Sequence, residues 1–139
     1  MRILLIEDEE NACVGWVAVL GKMGHTVDVA ADAEAAVAMM GKTSYDLVLL
    51  DIMLPGGVGF ADVSPREVGS QLLVRLRGGQ LGDLKTRQDV PVVALTAVTD
   101  LEVFCALRNG GAARVLQKPI DAEKAVSEIA DLLGGSADG

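Results

Sequence analysis

The chain has 139 residues and a net charge of −8, with 20 acidic against 12 basic side chains. The length predicts one domain with a substantial core, and the acidic balance argues against direct binding of nucleic acid. Half of the residues are hydrophobic but only 3% are aromatic, so aliphatic side chains must build that core.

No apolar run approaches the roughly 20 residues that cross a bilayer, and the N-terminus lacks the pattern of a signal peptide. We therefore expect a cytoplasmic protein that does not enter a membrane. The two cysteines, Cys13 and Cys105, make neither a disulfide framework nor a zinc site. Both are expected to be small buried side chains within helices.

Five predicted strands alternate with five predicted helices along the chain. The strands are predicted at residues 2–6, 25–30, 47–50, 90–95 and 114–116. The helices are predicted at residues 11–23, 32–40, 64–77 and 100–108, with a final helix that Asp121 caps. Such alternation favours a mainly parallel sheet covered by helices on both faces. Residues 25–30 alternate polar and apolar, which predicts an edge strand.

Local signals refine some of these elements. In the first helix, Val17 and Leu20 are expected to point inward. Ser64, Pro65 and Glu67 form a capping-box pattern with proline at the first helical position, which predicts the start of the third helix. The connection before it, residues 56–63, is longer than the roughly 2–6 residues usual between a strand and a helix.

The third strand is the most informative stretch. Its four apolar residues, 47–50, predict a strand buried on both faces. It ends on Asp51, and a Pro-Gly pair then turns the chain. A carboxylate at the carboxyl end of a central parallel strand lies where open α/β sheets bind their ligands.

Polar side chains follow four of the five strands. Glu7 and Asp8 follow the first strand, Asp51 ends the third, Thr96 ends the fourth and Lys118 follows the fifth. Right-handed crossovers bring the carboxyl ends of parallel strands to one rim of the sheet. We therefore expect three carboxylates, a hydroxyl and an ammonium group to converge there.

This set of groups has a definite chemistry. Two unit charges ~5 Å apart interact by roughly 3 kcal/mol at an effective dielectric of ~20, and protonation or a bound cation relieves that repulsion. A few oxygen ligands suit Mg²⁺. Lys118 and Thr96 can contact phosphoryl oxygens, and an aspartate such as Asp51 can itself be phosphorylated.

The motifs ILLIEDE, DLVLLDIMLPG, VVALTA and QKP occur in this order, and with them residues 1–134 resemble a response-regulator receiver domain of two-component signalling. The resemblance implies an α/β fold of the flavodoxin-like type, in which a doubly wound five-stranded parallel sheet of order 2-1-3-4-5 is covered by five helices. Residues 135–139 are expected to form a flexible tail.

The resemblance also implies roles for the residues at the rim. Asp51 is the expected phosphoacceptor, Thr96 the switch hydroxyl and Lys118 the phosphate-binding lysine. The family usually has a cis bond between this lysine and the next residue, here Pro119.

The same resemblance implies a Mg²⁺ site. Asp8 would bind the ion directly and Glu7 through water, together with Asp51 and the backbone carbonyl of Met53. Apart from its own phosphorylation and dephosphorylation, the chain is not expected to catalyse a reaction.

Partners follow from the resemblance as well. The expected phosphodonor is a sensor histidine kinase or a phosphotransfer protein, and the expected output is a downstream protein or a fused output domain. The switched face would be formed by the fourth helix, fifth strand and fifth helix, and a homodimer through this face is left open.

Two departures from the family pattern leave alternatives open. Val115 stands where the family usually has Tyr or Phe, and either repacking of Val115 or Phe104 would then carry the surface change. The extended loop 56–63, with Phe60, is hypothesised to shape access for a phosphodonor or partner.

The sequence leaves two other functions to consider. A receiver-like module that binds partners independently of phosphorylation is the main alternative. A haloacid-dehalogenase-like phosphatase also uses an Asp nucleophile at a strand end. It is disfavoured because Met53 stands where that class would have its second Asp, the general acid.

Overall fold

The computed structural model describes residues 1–54, 57–64, 67–97 and 101–134. Its strands are β1 (Arg2–Ile6), β2 (Thr26–Ala30), β3 (Leu47–Asp51), β4 (Val92–Thr96) and β5 (Arg114–Gln117). Its α-helices are α1 (Glu10–Lys22), α2 (Ala33–Lys42), α3 (Val68–Arg77), α4 (Leu101–Asn109) and α5 (Ala122–Leu132). The predicted tail, residues 135–139, lies outside the described residues.

The five strands form one parallel sheet in the order β2-β1-β3-β4-β5. This confirms the predicted fold class, and it places β2 at an edge as its alternating pattern indicates. All five residues of β3 and all five of β4 are buried. These central strands are buried on both faces, which is why their sequences are nearly continuous apolar runs.

Helices cover the sheet on both faces. The first core lies under α2, α3 and α4 and includes Met40, Leu72 and Leu107. The second core lies under α1 and α5 and includes Leu20 and Ile129. Among the described residues, no helix has the length and apolar character needed to cross a bilayer.

Two predictions about burial are wrong. Val17 of α1 is 40% exposed, whereas Leu20 is fully buried. The helix is apolar around most of its circumference, so sequence periodicity does not single out the inward face. Cys105 is exposed on α4, and Cys13 is only partly buried.

The predicted start of α3 is also wrong. The helix begins at Val68, and the preceding residue, Glu67, makes no side-chain capping hydrogen bond. The capping-box pattern therefore lies before the helix, with Ser64 accepting a hydrogen bond from the Glu67 N–H through its backbone carbonyl. The part of that prediction that concerns Pro65 falls outside the described residues.

Within the long connection between β3 and α3, residues 57–64 pack back onto the protein. These residues include a short 3-10 helix, Val58–Phe60. The Phe60 side chain is 5% exposed and belongs to the first core. The guanidinium of Arg75 on α3 lies 4.3 Å from the centre of its ring. Phe60 is thus an anchor that fixes the loop to the core.

Candidate functional site

The ends of four neighbouring strands meet at one rim of the sheet. The parallel register aligns Ile6 with Leu50, and Thr96 with Gln117. Asp51, the last residue of β3, is aligned with Leu95 of β4. The polar residues at or just beyond these ends are therefore brought together, as strand alternation predicts.

Three carboxylates form the acidic side of this rim. One oxygen from each of Glu7, Asp8 and Asp51 lies within 4.8 Å of the other two. Glu7 and Asp51 are buried, with 2% and 6% of their surface exposed, whereas Asp8 is exposed. Two carboxyl groups are thus held away from water, with a third at the entrance.

Lys118 supplies the opposing positive charge. Its Nζ atom lies 3.3 Å from Oδ2 of Asp51 and 3.5 Å from Oε1 of Glu7. The backbone N–H of Lys118 donates to the Thr96 carbonyl at 2.7 Å, and the bond between Lys118 and Pro119 is cis. The backbone hydrogen bond ties the chain to β4 where β5 ends, and the ammonium group lies within ion-pair distance of both carboxylates.

The electrostatics of the site follow from burial and these charges. Burial, reinforced by the neighbouring Asp51 carboxylate, raises the pKa of Glu7 from 4.5 to about 8, although Lys118 acts in the opposite direction. Burial alone would lower the pKa of Lys118, but Asp51 and Glu7 outweigh it and raise the pKa of the ammonium group. One ammonium group is thus insufficient to keep Glu7 ionised at neutral pH.

A cavity of about 210 Å³ opens beside Asp51. It is lined by Asp51, Ile52, Met53, Thr96, Ala97 and Lys118. The Asp51 carboxylate is held at two points, because its Oδ1 accepts the Met53 backbone N–H at 3.2 Å while its Oδ2 pairs with Lys118. The predicted site residues, Met53 included, therefore border this small cavity or belong to the acidic cluster next to it.

Some features of the site have no simple sequence signal. The ion pair between Glu7 and Lys118 joins residues 111 positions apart, and strand ends alone do not show which acid the lysine contacts. The second oxygen of Glu7, Oε2, is buried and has no hydrogen-bond partner. Phe60 does not line the cavity beside Asp51.

The doubly wound fold and the acidic pocket at its rim define the class of receiver-like proteins. A family model for the response regulator receiver domain matches residues 3–130, and the chain belongs to this family. It is therefore a receiver domain of two-component signalling.

Curated relatives include regulators and sensors. The transcriptional regulatory protein TcrA of Mycobacterium tuberculosis is 34% identical over 129 residues, which are 93% of this chain and 44% of that protein. The aerobic respiration control sensor protein ArcB of Escherichia coli is 36% identical over 123 residues, 86% of this chain and 14% of that protein. The chain thus spans less than half the length of either relative.

Solved structures share the fold. The receiver domain of a sensor histidine kinase from Pseudomonas aeruginosa, with a magnesium ion coordinated in its active-site cleft, is 25% identical with a TM-score of 0.75 and covers 96% of this chain and 97% of its own. A two-component response regulator from Clostridium difficile is 22% identical, with a TM-score of 0.78. The match covers 96% of this chain and 95% of that one.

Proposed function

We propose that this domain accepts a phosphoryl group on Asp51 in a reaction that depends on Mg²⁺, and that the modification switches a protein-interaction face. The donor is a phosphohistidine of a sensor histidine kinase or a phosphotransfer protein in the cytoplasm. The observation that carries the proposal is the convergence of Lys118 and two further carboxylates on the buried Asp51.

The residues present fit a Mg²⁺ ion. The buried, unpartnered Oε2 of Glu7 is an oxygen for which the described residues provide no donor, and the cluster offers the oxygen ligands that Mg²⁺ prefers. Asp8, Asp51 and the Met53 carbonyl would hold the ion, with Glu7 acting through water. When bound, the ion neutralises the acids and the charge on the transferring phosphoryl oxygens.

The protein itself positions the reacting groups. Lys118 and the Met53 N–H hold the Asp51 carboxylate at the cavity. One Asp51 oxygen forms a bond to phosphorus while the P–N bond to the donor imidazole breaks, and the nitrogen keeps the bonding electron pair. The ammonium group of Lys118 is placed to stabilise the phosphoryl oxygens. The domain catalyses only this transfer and the hydrolysis that reverses the modification.

The readout of the modification begins at Thr96. This residue is 3% exposed and borders the cavity. Its hydroxyl can therefore form a hydrogen bond with an added phosphoryl group and shift a pre-existing equilibrium between two conformations of the domain. We assign the switched face to α4, β5 and α5, both for a downstream protein or fused output domain and for a homodimer. Val115 is half-buried against the first core, a position from which it can repack.

Intact mass spectrometry tests the proposal. The protein is incubated with acetyl phosphate and Mg²⁺, and we expect a mass increase of one phosphoryl group that EDTA prevents. Asp51→Ala should abolish the increase, while Asp83→Ala, which removes an exposed carboxylate outside the site, should retain it. Absence of the adduct, or its persistence in Asp51→Ala, would overturn the proposal.

One observation favours a second candidate, in which the domain binds partners regardless of phosphorylation. Val115 lacks the aromatic ring that the family uses to couple the phosphoryl site to the outer face. If this second function holds, Asp51→Asn leaves both partner binding and biological output unchanged. If phosphorylation controls the output, the same variant loses the response to the kinase.

A further inference from the structure

The peptide unit that joins Ile52 to Met53 is held at both of its polar ends. Its N–H, which belongs to Met53, donates to Asp51 Oδ1 at 3.2 Å. Its carbonyl, which belongs to Ile52, accepts the backbone N–H of Gly69 at 3.2 Å. A continuous path of hydrogen bonds therefore runs from α3 through one peptide unit to the Asp51 carboxylate.

Gly69 is suited to this contact by its place in α3. The first four N–H groups of a helix have no partner within the helix, and Gly69 is the second residue of α3. The preceding residue, Glu67, provides no side-chain capping bond. The Ile52 carbonyl instead satisfies this donor, so the start of the helix is tied directly to the loop after Asp51.

The contact also requires that residue 69 have no side chain. A Cβ atom at Gly69 would lie 2.5 Å from the oxygen and 2.6 Å from the Cα of Ile52. Both are backbone atoms, and Ile52 is held from its other side because its own N–H donates to the Leu95 carbonyl at 3.1 Å. The overlap can be relieved only by moving α3 or by rotating the peptide between Ile52 and Met53.

We infer that Gly69 is a positioning residue for Asp51, a role that rests on the proposed phosphotransfer function. Through the peptide unit it fixes the Met53 N–H against Oδ1, and with it the direction in which the carboxylate faces the cavity. The next carbonyl along the chain is that of Met53, which the proposed function assigns to Mg²⁺. Rotation of this peptide therefore disturbs two expected metal ligands at once, while the ion pair from Lys118 to Oδ2 remains.

The variant Gly69→Ala tests the inference against Gly41→Ala. Gly41 also lies in a helix on the same face of the sheet, but a Cβ there would make only an ordinary contact, 3.9 Å from Leu84. Mg²⁺ affinity is measured with the single tryptophan, Trp16, which borders a groove together with Glu7 and Lys118. We expect Gly69→Ala to weaken Mg²⁺ binding about ten-fold, the scale on which outer-shell partners of metal ligands act, and Gly41→Ala to leave it unchanged.

Two readouts separate positioning from a general loss of structure. Binding and the rate of adduct formation with acetyl phosphate are measured at a temperature where circular dichroism shows each variant fully folded. A Gly69→Ala protein with a lower melting temperature but the Mg²⁺ affinity and adduct rate of the wild type would overturn the inference. If the wild type itself neither binds Mg²⁺ nor forms an adduct, the proposed function fails instead.

A measurement on the unmodified protein covers the case in which Gly69→Ala does not fold. In ¹⁵N-labelled protein, saturation with Mg²⁺ should shift the amide resonance of Gly69 more than that of Gly41. The reason is that the Gly69 N–H donates to the Ile52 carbonyl, and the same peptide unit donates its N–H to the Asp51 carboxylate. Equal shifts at the two glycines, with Mg²⁺ bound, would contradict the inference.

Discussion

Glu7 is the residue on which the balance of charges at the rim depends. It is the most buried of the three carboxylates. One of its oxygens faces Lys118 at 3.5 Å, and the other has no hydrogen-bond partner. A carboxylate in this position costs free energy when ionised, unless a cation is near. The proposed metal site thus has a measurable consequence for the metal-free protein.

We predict that the metal-free protein loses stability as the pH rises from 4.5 to 8. A solvent-exposed glutamate, as Glu7 is in the unfolded chain, has a pKa of 4.5. In the folded protein, burial and Asp51 raise the pKa of Glu7 to about 8. Across that window the folded state holds a proton that the unfolded chain has released, so the free energy of unfolding falls with increasing pH. Urea denaturation in EDTA at several pH values measures this slope.

Two variants identify the group responsible. Glu7→Gln should flatten the slope and make the protein more stable than the wild type at pH 8. Glu10→Gln changes an exposed acid in the first turn of α1 and should keep the slope of the wild type. An unchanged slope in Glu7→Gln would mean that burial of Glu7 does not control the pH dependence.

Tyr45 shows how a residue outside the site links two elements. It lies just before β3 and is 4% exposed, and its hydroxyl donates to Oδ2 of Asp28 on β2 at 2.8 Å. We predict that Tyr45→Phe lowers the free energy of unfolding by about 1 kcal/mol at pH 7, the usual net value of one hydrogen bond. Chemical denaturation of both proteins gives this difference.

The same residue gives a pH signature at the alkaline end. Burial and the bond to Asp28 raise the pKa of Tyr45 from 10 to about 12. The neutral phenol is thus favoured in the folded state, so its stabilising contribution is complete below pH 10 and is lost as the pH rises to 12. The advantage of the wild type over Tyr45→Phe should shrink across this range, and a constant difference would contradict the assignment.

At the scale of elements, Arg75 helps to hold residues 57–64 of the loop between β3 and α3. Arg75 of α3 stacks over the Phe60 ring at 4.3 Å, and its Nη1 donates to the Gly59 carbonyl at 3.2 Å. We predict that Arg75→Ala costs about 0.5–1 kcal/mol, the size of an exposed cation–π contact. It should also speed amide hydrogen exchange in residues 57–64, because the loop loses its attachment to the helix.

A matched control isolates the effect of the loop. Arg87→Ala removes the same charge from an exposed side chain that pairs with Asp89, and we expect no change of exchange within 57–64. Equal exchange rates in Arg75→Ala and the wild type would show that Phe60 alone anchors the loop.

The elements themselves show what a sequence can predict. Strands β1, β3 and β4 follow from apolar runs, because strands buried on both faces admit little else. Asp121 was correctly identified as the N-cap of α5, since its side chain accepts the Glu123 N–H. These features depend on residues close together in the chain.

Features that depend on particular contacts between distant residues are harder to predict. The start of α3 at Val68 is fixed where Gly69 meets Ile52, and the capping pattern at residue 64 carries no information about that contact. The inward face of α1 is predicted only in part: Leu20 is buried as expected, whereas Val17 is not, because both side chains are apolar and only packing separates them. The polar rim is predictable because right-handed crossovers place the carboxyl ends of all parallel strands at one edge of the sheet. This placement does not depend on how individual side chains pack.

For the molecule as a whole, the acidic rim is a source of instability that ligand binding should relieve. Mg²⁺ that binds only the folded state stabilises it by linkage, by about 2.7 kcal/mol at 100 times its Kd. We predict that Mg²⁺ raises the melting temperature at neutral pH by several degrees. Differential scanning fluorimetry with Mg²⁺ and with EDTA measures this shift.

Loss of the Asp51 carboxylate should increase the stability of the metal-free protein. Asp51→Asn removes the carboxylate that, together with burial, opposes ionisation of Glu7, and it leaves Lys118 to pair with Glu7. In EDTA the variant should therefore raise the melting temperature and reduce the further gain from Mg²⁺. Asp83→Asn makes the same chemical change at an exposed position in the connection between α3 and β4, and it should alter neither quantity. If Mg²⁺ and Asp51→Asn both leave melting unchanged, the three carboxylates do not share a site in solution. A higher melting temperature for Asp51→Asn would mean that the proposed phosphoacceptor lowers the stability of the folded protein, so that its position serves chemistry rather than folding.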